Sequence, residues 1–176
     1  MLRLASYDVV FQEVPGEVAL ALNISGCLNG CKGCHSPHLQ EDIGEELVEG
    51  VLSALLERYG DAITCVCFMG GDADPGEVER MAAFVRGYGS ELPRPLAGEA
   101  SASGSPASGI SRLKTAWYSG RAALPAAVSA QAFDYIKLGP YIERLGGLGS
   151  PDTNQRYYKV EADRMVDMTH LFLTRT

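Results

Sequence analysis

Four short apolar segments, each followed by a glycine, most constrain the fold of this chain. They alternate with segments of helical periodicity, and an apolar run of this length that ends at glycine is typical of a buried strand. The predicted strands cover residues 18–24, 62–69, 113–118 and 133–138. Strand, loop and helix in repeated order predict an α/β fold whose functional loops lie at one edge of a mostly parallel sheet.

The segments between the strands predict the helices. Apolar residues recur at three- and four-residue intervals across residues 45–59, and a second helix is expected to begin near Asp74 and Pro75 and to end at Gly87 or Gly89. A short helix near residues 125–131 and short edge strands at 157–160 and 169–173 complete the pattern. With 176 residues the chain is shorter than a complete eight-fold barrel of about 250 residues, so we expect an open sheet or a partial (β/α) barrel.

Residues 89–112 differ from the rest in composition. Serine, glycine, alanine and proline dominate there, without a periodicity of large apolar side chains. Such a segment buries too little surface to offset its ordering entropy, so we expect a flexible insertion within a single domain covering residues 1–176.

Charge and hydropathy exclude two classes of partner. The formal net charge is −7, whereas binding to a nucleic acid requires clustered lysine and arginine. No apolar run reaches the roughly 18 residues of a membrane span, and the N-terminal residues do not resemble a signal peptide. We therefore expect a cytoplasmic protein that binds neither nucleic acid nor membrane.

Three of the five cysteines lie within eight residues, directly after the first predicted strand. Cys27, Cys31 and Cys34 are separated by three and then two residues, and Gly30 and Gly33 allow the backbone to curl around a bound group. Three thiolates on one tight loop can hold three corners of a cubane iron–sulfur cluster and leave one iron open to an external ligand. Cys65 and Cys67 lie on a predicted strand and are interpreted as buried apolar side chains.

A zinc site is the alternative for the same loop. His38 would complete a Cys3His set, which zinc accepts, whereas His35 and His38 could instead tune a cluster through hydrogen bonds from outside the ligand set.

Five elements in register resemble the radical S-adenosylmethionine (SAM) superfamily, and more narrowly the activating proteins of anaerobic ribonucleotide reductases. The three-cysteine spacing, preceded by Ser25 and Gly26, is similar to the signature of the superfamily. The other four elements are Met69-Gly70-Gly71-Asp72, Trp117-Tyr118-Ser119-Gly120, Asp134-Tyr135-Ile136-Lys137-Leu138-Gly139-Pro140-Tyr141 and Asn154-Gln155-Arg156. Each element is weak alone, and their common order along the chain carries the resemblance.

The resemblance implies a partial barrel of the radical SAM type that holds a [4Fe–4S] cluster on Cys27, Cys31 and Cys34. It implies SAM contacts by the following residues: Gly70, Gly71, Asp72, Tyr118, Ser119, Gly120 and Asn154. The expected activity is reductive cleavage of SAM, followed by hydrogen abstraction from a glycine of the large anaerobic ribonucleotide reductase subunit. A low-potential donor such as flavodoxin would supply the electron. Activation of another glycyl radical enzyme, or a non-catalytic iron–sulfur or zinc module, are the alternatives.

Overall fold

The computed structural model describes residues 1–91, 112–162 and 164–173, and for residues 89–91 it describes the backbone only. The described residues form one eight-stranded sheet and three α-helices. The strands are β1 (Arg3–Val10), β2 (Ala19–Ile24), β3 (Glu45–Glu46), β4 (Cys65–Met69), β5 (Lys114–Tyr118), β6 (Tyr135–Leu138), β7 (Arg156–Glu161) and β8 (Arg164–Asp167). The helices are α1 (Glu49–Tyr59), α2 (Pro75–Glu91) and α3 (His170–Leu173).

The sheet is parallel at its centre and antiparallel at both sides. Its strand order is β3-β1-β2-β4-β5-β6-β7-β8. The three pairings among β2, β4, β5 and β6 are parallel. The four pairings that add β1, β3, β7 and β8 are antiparallel. The predicted α/β class is therefore confirmed, but the prediction of a mostly parallel sheet is wrong for the described residues.

The two faces of the central strands differ in side-chain size. Leu20, Leu22 and Phe68 point to one face, where they are buried beneath α1 and α2 in the main core. The alternate positions carry small residues, among them Ala19 and Cys67, in a separate buried cluster. Because successive side chains in a strand alternate between faces, the small residues all lie on the face opposite the helices. That face has room for a cavity.

Several predicted elements differ locally. The helix predicted from residue 45 begins at Glu49, because Glu45 and Glu46 pair with β1 as β3. Helix α2 does not end at Gly87 or Gly89 but continues to Glu91, since an interior glycine costs a helix only about 1 kcal/mol. Near residues 125–131 only a short 3-10 helix, Ala130–Ala132, forms.

The C-terminal prediction is half correct. The strand expected at 157–160 is present within β7, but 169–173 contains helix α3 rather than a strand. The predicted flexible insertion, 89–112, falls mainly on residues 92–111, which lie outside the described residues. Within the described ranges, none of the helices is long and apolar enough to cross a membrane.

Candidate active site

A cavity of about 440 Å³ opens at the carboxyl ends of the four parallel strands. Its floor is a row of four side chains, one from each strand: Asn23, Met69, Tyr118 and Lys137. The register pairs Asn23 with Met69, Met69 with Tyr118, and Tyr118 with Lys137. The row lies on the face of the sheet opposite the helices. The volume of the cavity is within the range of small-molecule sites.

The cysteine loop (residues 25–36) closes one side of this cavity. Cys27, Cys31 and Cys34 all line the cavity, and all three are half-buried and free. Their common position follows from a tight backbone, in which Gly30 and Gly33 have φ of 55° and 74°. A side chain is strained at such positive φ, so glycine is favoured at both positions.

Hydrogen bonds fix the cysteine loop to the segment that follows it. The Cys27 amide donates to the Leu39 carbonyl at 2.9 Å, and the Ser25 hydroxyl donates to the Ile43 carbonyl at 2.6 Å. The Ser36 amide points at the Cys34 sulfur at 3.4 Å. Amide donors to sulfur stabilise the thiolate form that a metal ligand requires.

The candidate metal ligands Cys27, Cys31, Cys34 and His38 differ in their position relative to the cavity. A zinc site binds four ligands to one ion, at metal–ligand distances of about 2.0–2.3 Å. A cubane cluster binds each cysteine sulfur to a different iron. Among residues 1–91, 112–162 and 164–173, no three His, Cys, Asp or Glu side chains come close enough to hold one metal ion. His38 is exposed in the 3-10 helix Pro37–Gln40 and is not among the residues that line the cavity. The three cysteines of the loop therefore line the cavity, whereas His38 does not.

The Gly70-Gly71 turn brings backbone against backbone at the end of β4. Gly70 has φ of 104°, and a Cβ atom there would lie 2.9 Å from the Ile24 carbonyl oxygen. At Gly71 (φ 82°) a Cβ would lie 2.5 Å from Val78 Cγ2, so this glycine faces the core and not the cavity. The indole of Trp117 donates to the Gly70 carbonyl at 2.7 Å and fixes the turn.

Asp72 is buried, with 3% of its surface exposed, and it lines the cavity. Its Oδ1 accepts from the Ser119 hydroxyl at 2.6 Å. Its Oδ2 accepts from the Gly120 amide at 2.8 Å and from the Asn29 side chain at 2.6 Å. A carboxylate offers about four lone pairs, so three donors leave one acceptor position on Oδ1.

Two predicted contacts, Tyr118 and Asn154, have different surroundings. Tyr118 lines the cavity, its hydroxyl donates to the Glu13 carbonyl, and burial raises the pKa of its phenol well above the usual 10.0. Asn154 is not among the lining residues, and its amide donates to the Pro140 carbonyl at 2.9 Å. Its neighbour Gln155 lines the cavity instead and donates to the Gly139 carbonyl at 3.3 Å.

Cys65 and Cys67 are fully buried, as predicted, and do not line the cavity. Burial raises the pKa of both thiols above the ordinary 9.0. Both therefore remain protonated at neutral pH and are poor metal ligands.

Sequence reasoning did not assign a role to Lys137. Its ammonium donates to the Gly139 carbonyl at 2.8 Å and lies 3.5 Å from the Ser119 carbonyl. Burial lowers its pKa from 10.5 to about 8, although Asp72 and the three cysteines of the loop act in the opposite direction. Strand alternation was the available signal, because Lys137 lies two residues after Tyr135 and thus on the same face.

The lowered pKa predicts how Lys137 affects stability as a function of pH. Between about pH 8 and 10.5 the unfolded metal-free chain holds a proton on this lysine that the folded chain has released. The contribution of Lys137 to the free energy of unfolding therefore rises with pH in that window and is flat below it. The free energy of unfolding is measured in urea for the metal-free wild-type protein and for metal-free Lys137→Met. From pH 8 to 10 the value for wild type should increase relative to the value for Lys137→Met. A difference independent of pH would contradict the lowered pKa.

Gly120 packs directly beneath Asn29. A Cβ atom at position 120 would lie 2.2 Å from Asn29 Nδ2 and 3.2 Å from Asp72 Oδ2. We expect Gly120→Ala to lower the free energy of unfolding by about 1–3 kcal/mol, because the alanine methyl overpacks this contact.

Gly87→Ala is the matched control. Among the described residues, and apart from the backbone of α2 itself, no atom lies within 4 Å of a Cβ placed at Gly87, so this substitution should stabilise the chain by about 0.5–1 kcal/mol. Urea denaturation measures both variants. Equal effects of the two substitutions would show that Asn29 is not packed on Gly120.

No protein-family model matches this chain, and neither a curated protein nor a solved structure matches it.

Proposed function

We propose that the chain is a radical SAM activase that cleaves SAM reductively at a [4Fe–4S] cluster and abstracts a hydrogen atom from a glycine of the large anaerobic ribonucleotide reductase subunit. One observation carries the proposal. Three cysteines of the cysteine loop and the buried Asp72 line the same cavity at the carboxyl ends of parallel strands.

Cys27, Cys31 and Cys34 would hold the cluster on three of its irons. When bound, such a cluster supplies the single electron that splits the sulfonium of SAM into methionine and a 5′-deoxyadenosyl radical. A low-potential donor such as flavodoxin would replace the electron. The product 5′-deoxyadenosine carries the hydrogen taken from glycine Cα, and the radical remains on that glycine.

The charges in the cavity fit the two ends of the methionine part of SAM. Asp72 keeps one acceptor position on Oδ1, which suits an ammonium group. Among the described residues that line the cavity, Lys137 is the only lysine or arginine. Its ammonium has a third N–H beyond its two carbonyl contacts, which suits a carboxylate.

The nucleoside is expected to lie along Tyr118, Ser119 and Gly120, which line the cavity. Gly70 also lines the cavity, whereas Gly71 permits the turn without contacting it. Asn154 would act through the Gly139-Pro140 turn that its side chain fixes. The protein thus supplies orientation and exclusion of water, while the cofactors carry the bond cleavage.

The fold supports the same proposal at coarser detail. Four parallel strands with a cavity at their carboxyl ends agree with a partial barrel of the radical SAM type. We propose a cytoplasmic protein, in agreement with the reducing environment that free thiols and iron–sulfur chemistry require.

Stoichiometry and product analysis test the proposed function. The protein is reconstituted anaerobically with iron and sulfide, reduced with dithionite and incubated with SAM. We expect about four irons per chain and release of 5′-deoxyadenosine and methionine in equal amounts. Tightly bound zinc without SAM cleavage would indicate a structural zinc module and contradict the proposed function. An iron–sulfur cluster without SAM cleavage would indicate a protein that only transfers electrons.

The partner is tested separately by adding the large reductase subunit. A glycyl radical signal in its electron paramagnetic resonance spectrum, dependent on SAM and this protein, is the expected result. SAM cleavage without that signal would retain the radical chemistry and reject this partner.

A further inference from the structure

Asn29 joins three parts of the site that are distant in sequence. It is half-buried in the cysteine loop, between Cys27 and Cys31, and it lines the cavity. Its side-chain nitrogen donates to Asp72 Oδ2 at 2.6 Å and lies 3.5 Å from the Cys27 sulfur. The same nitrogen occupies the space that a side chain at position 120 would fill.

The chemistry of these contacts requires an amide nitrogen. A primary amide has two N–H donors, and here the neighbouring groups are a carboxylate oxygen and a sulfur, both acceptors. The amide oxygen would place an acceptor against a carboxylate, so only one orientation of Asn29 satisfies the network. Aspartate, which has the same shape, would place a second negative charge beside Asp72 and Cys27.

We infer that Asn29 is a positioning residue that couples the first cysteine of the loop to the carboxylate of Asp72. The inference rests on the proposed function, because Cys27 is there a cluster ligand and Asp72 the acceptor for the SAM ammonium. Asn29 withdraws electron density from the Cys27 sulfur through an N–H···S contact. It also holds the carboxylate of Asp72 in place, with one acceptor position left on Oδ1.

Two consequences follow for the loaded protein. Hydrogen bonds to ligand sulfur stabilise the more negative, reduced state of a cluster and so raise its reduction potential. Removing the Asn29 donors should therefore lower the potential. It should also weaken SAM binding by about tenfold or more, since a hydrogen bond to a charged group fixes Asp72.

The test compares Asn29→Leu, which keeps the size but removes both donors, with Leu28→Ala as the control. Leu28 is the adjacent residue, and its side chain is 78% exposed. Iron content, midpoint potential from a redox titration, and SAM affinity are measured for each variant. We expect Asn29→Leu to keep its iron, to have a lower potential and to bind SAM about tenfold or more weakly, whereas Leu28→Ala matches wild type. The inference would be overturned if Asn29→Leu kept its iron with the midpoint potential and SAM affinity of wild type. It would also be overturned if Asn29→Leu lost its iron while Leu28→Ala kept it.

A measurement on the metal-free protein separates this inference from the proposed function. The side-chain amide signals of Asn29 in a ¹⁵N–¹H spectrum should move when Asp72 is replaced in Asp72→Asn, because its hydrogen-bond acceptor changes. Unmoved signals would overturn the coupling and leave the proposed function intact. A wild-type protein that shows the coupling but forms no SAM-responsive cluster would instead overturn the proposed function, and with it the assigned role of Asn29.

Discussion

Cys31→Ala is expected to abolish both iron retention and SAM cleavage. Cys31 lines the cavity between the other two cysteines of the loop, and the backbone there is tightly turned at Gly30 and Gly33. A neighbouring protein thiol cannot replace it, because Cys65 and Cys67 are fully buried and lie outside the cavity. Iron and sulfide analysis and assay of 5′-deoxyadenosine should both fall to the level measured without protein.

Cys67→Ala is the matched control for the loss of one thiol. Its sulfur contacts Met69 Sδ at 3.4 Å within the small buried cluster. Truncation there should cost stability by about 1–2 kcal/mol, in line with the loss of a small buried side chain, without changing iron content. A Cys31→Ala protein that still cleaves SAM would contradict the assignment of Cys31 as a cluster ligand. Loss of iron in Cys67→Ala would show that a buried thiol takes part in binding the cluster.

Asp72→Asn is expected to produce the second large effect. The substitution keeps the shape but removes the charge, and it leaves one acceptor oxygen for three donors from Asn29, Ser119 and Gly120. Each buried donor that loses its acceptor costs about 1–3 kcal/mol. We expect SAM affinity to fall by about 10- to 100-fold, with the iron content retained.

The control for Asp72 is Asp61→Asn, an exposed aspartate in the turn after α1. Calorimetric titration with SAM under anaerobic conditions measures both variants, and urea denaturation separates affinity from stability. Wild-type SAM affinity in a folded Asp72→Asn protein would exclude this carboxylate as the ammonium acceptor.

The convergence of the site could be predicted from the sequence because it depends on strand ends. A glycine lies one or two residues after each parallel strand, and the segments that follow the strands lie at the same edge of the sheet. Cys27, Asp72 and Gly120 therefore line one cavity although they are distant in the chain. Local signals were enough here, since glycine at a strand end is recognisable from a few neighbours.

The pairing direction of the outer strands was not predictable in the same way. β1 and β7 join the sheet by antiparallel pairing with β2 and β6, and this choice depends on partners that a local apolar pattern does not identify. α3 was misassigned because a short apolar run fits either a strand or one helical turn.

The positions of Asn29 and Lys137 in the site could not be predicted from the sequence, for a different physical reason in each case. A polar residue in a loop is most often solvated, and only the approach of Asp72 to within 2.6 Å distinguishes Asn29. A lysine in a strand usually extends to water, whereas Lys137 is held inside by the Gly139 carbonyl. Both roles arise from tertiary contacts across more than one element.

The most direct test of the central claim is electron paramagnetic resonance of the reduced, anaerobically reconstituted protein with and without SAM. The proposed site predicts a reduced cubane signal whose g-values change on addition of SAM, because one iron is open to the ligand. The same signal should appear in Asp72→Asn but require higher SAM concentrations to change. A cubane signal that is indifferent to SAM at saturating concentration, or no cubane signal at all, would contradict the proposed function.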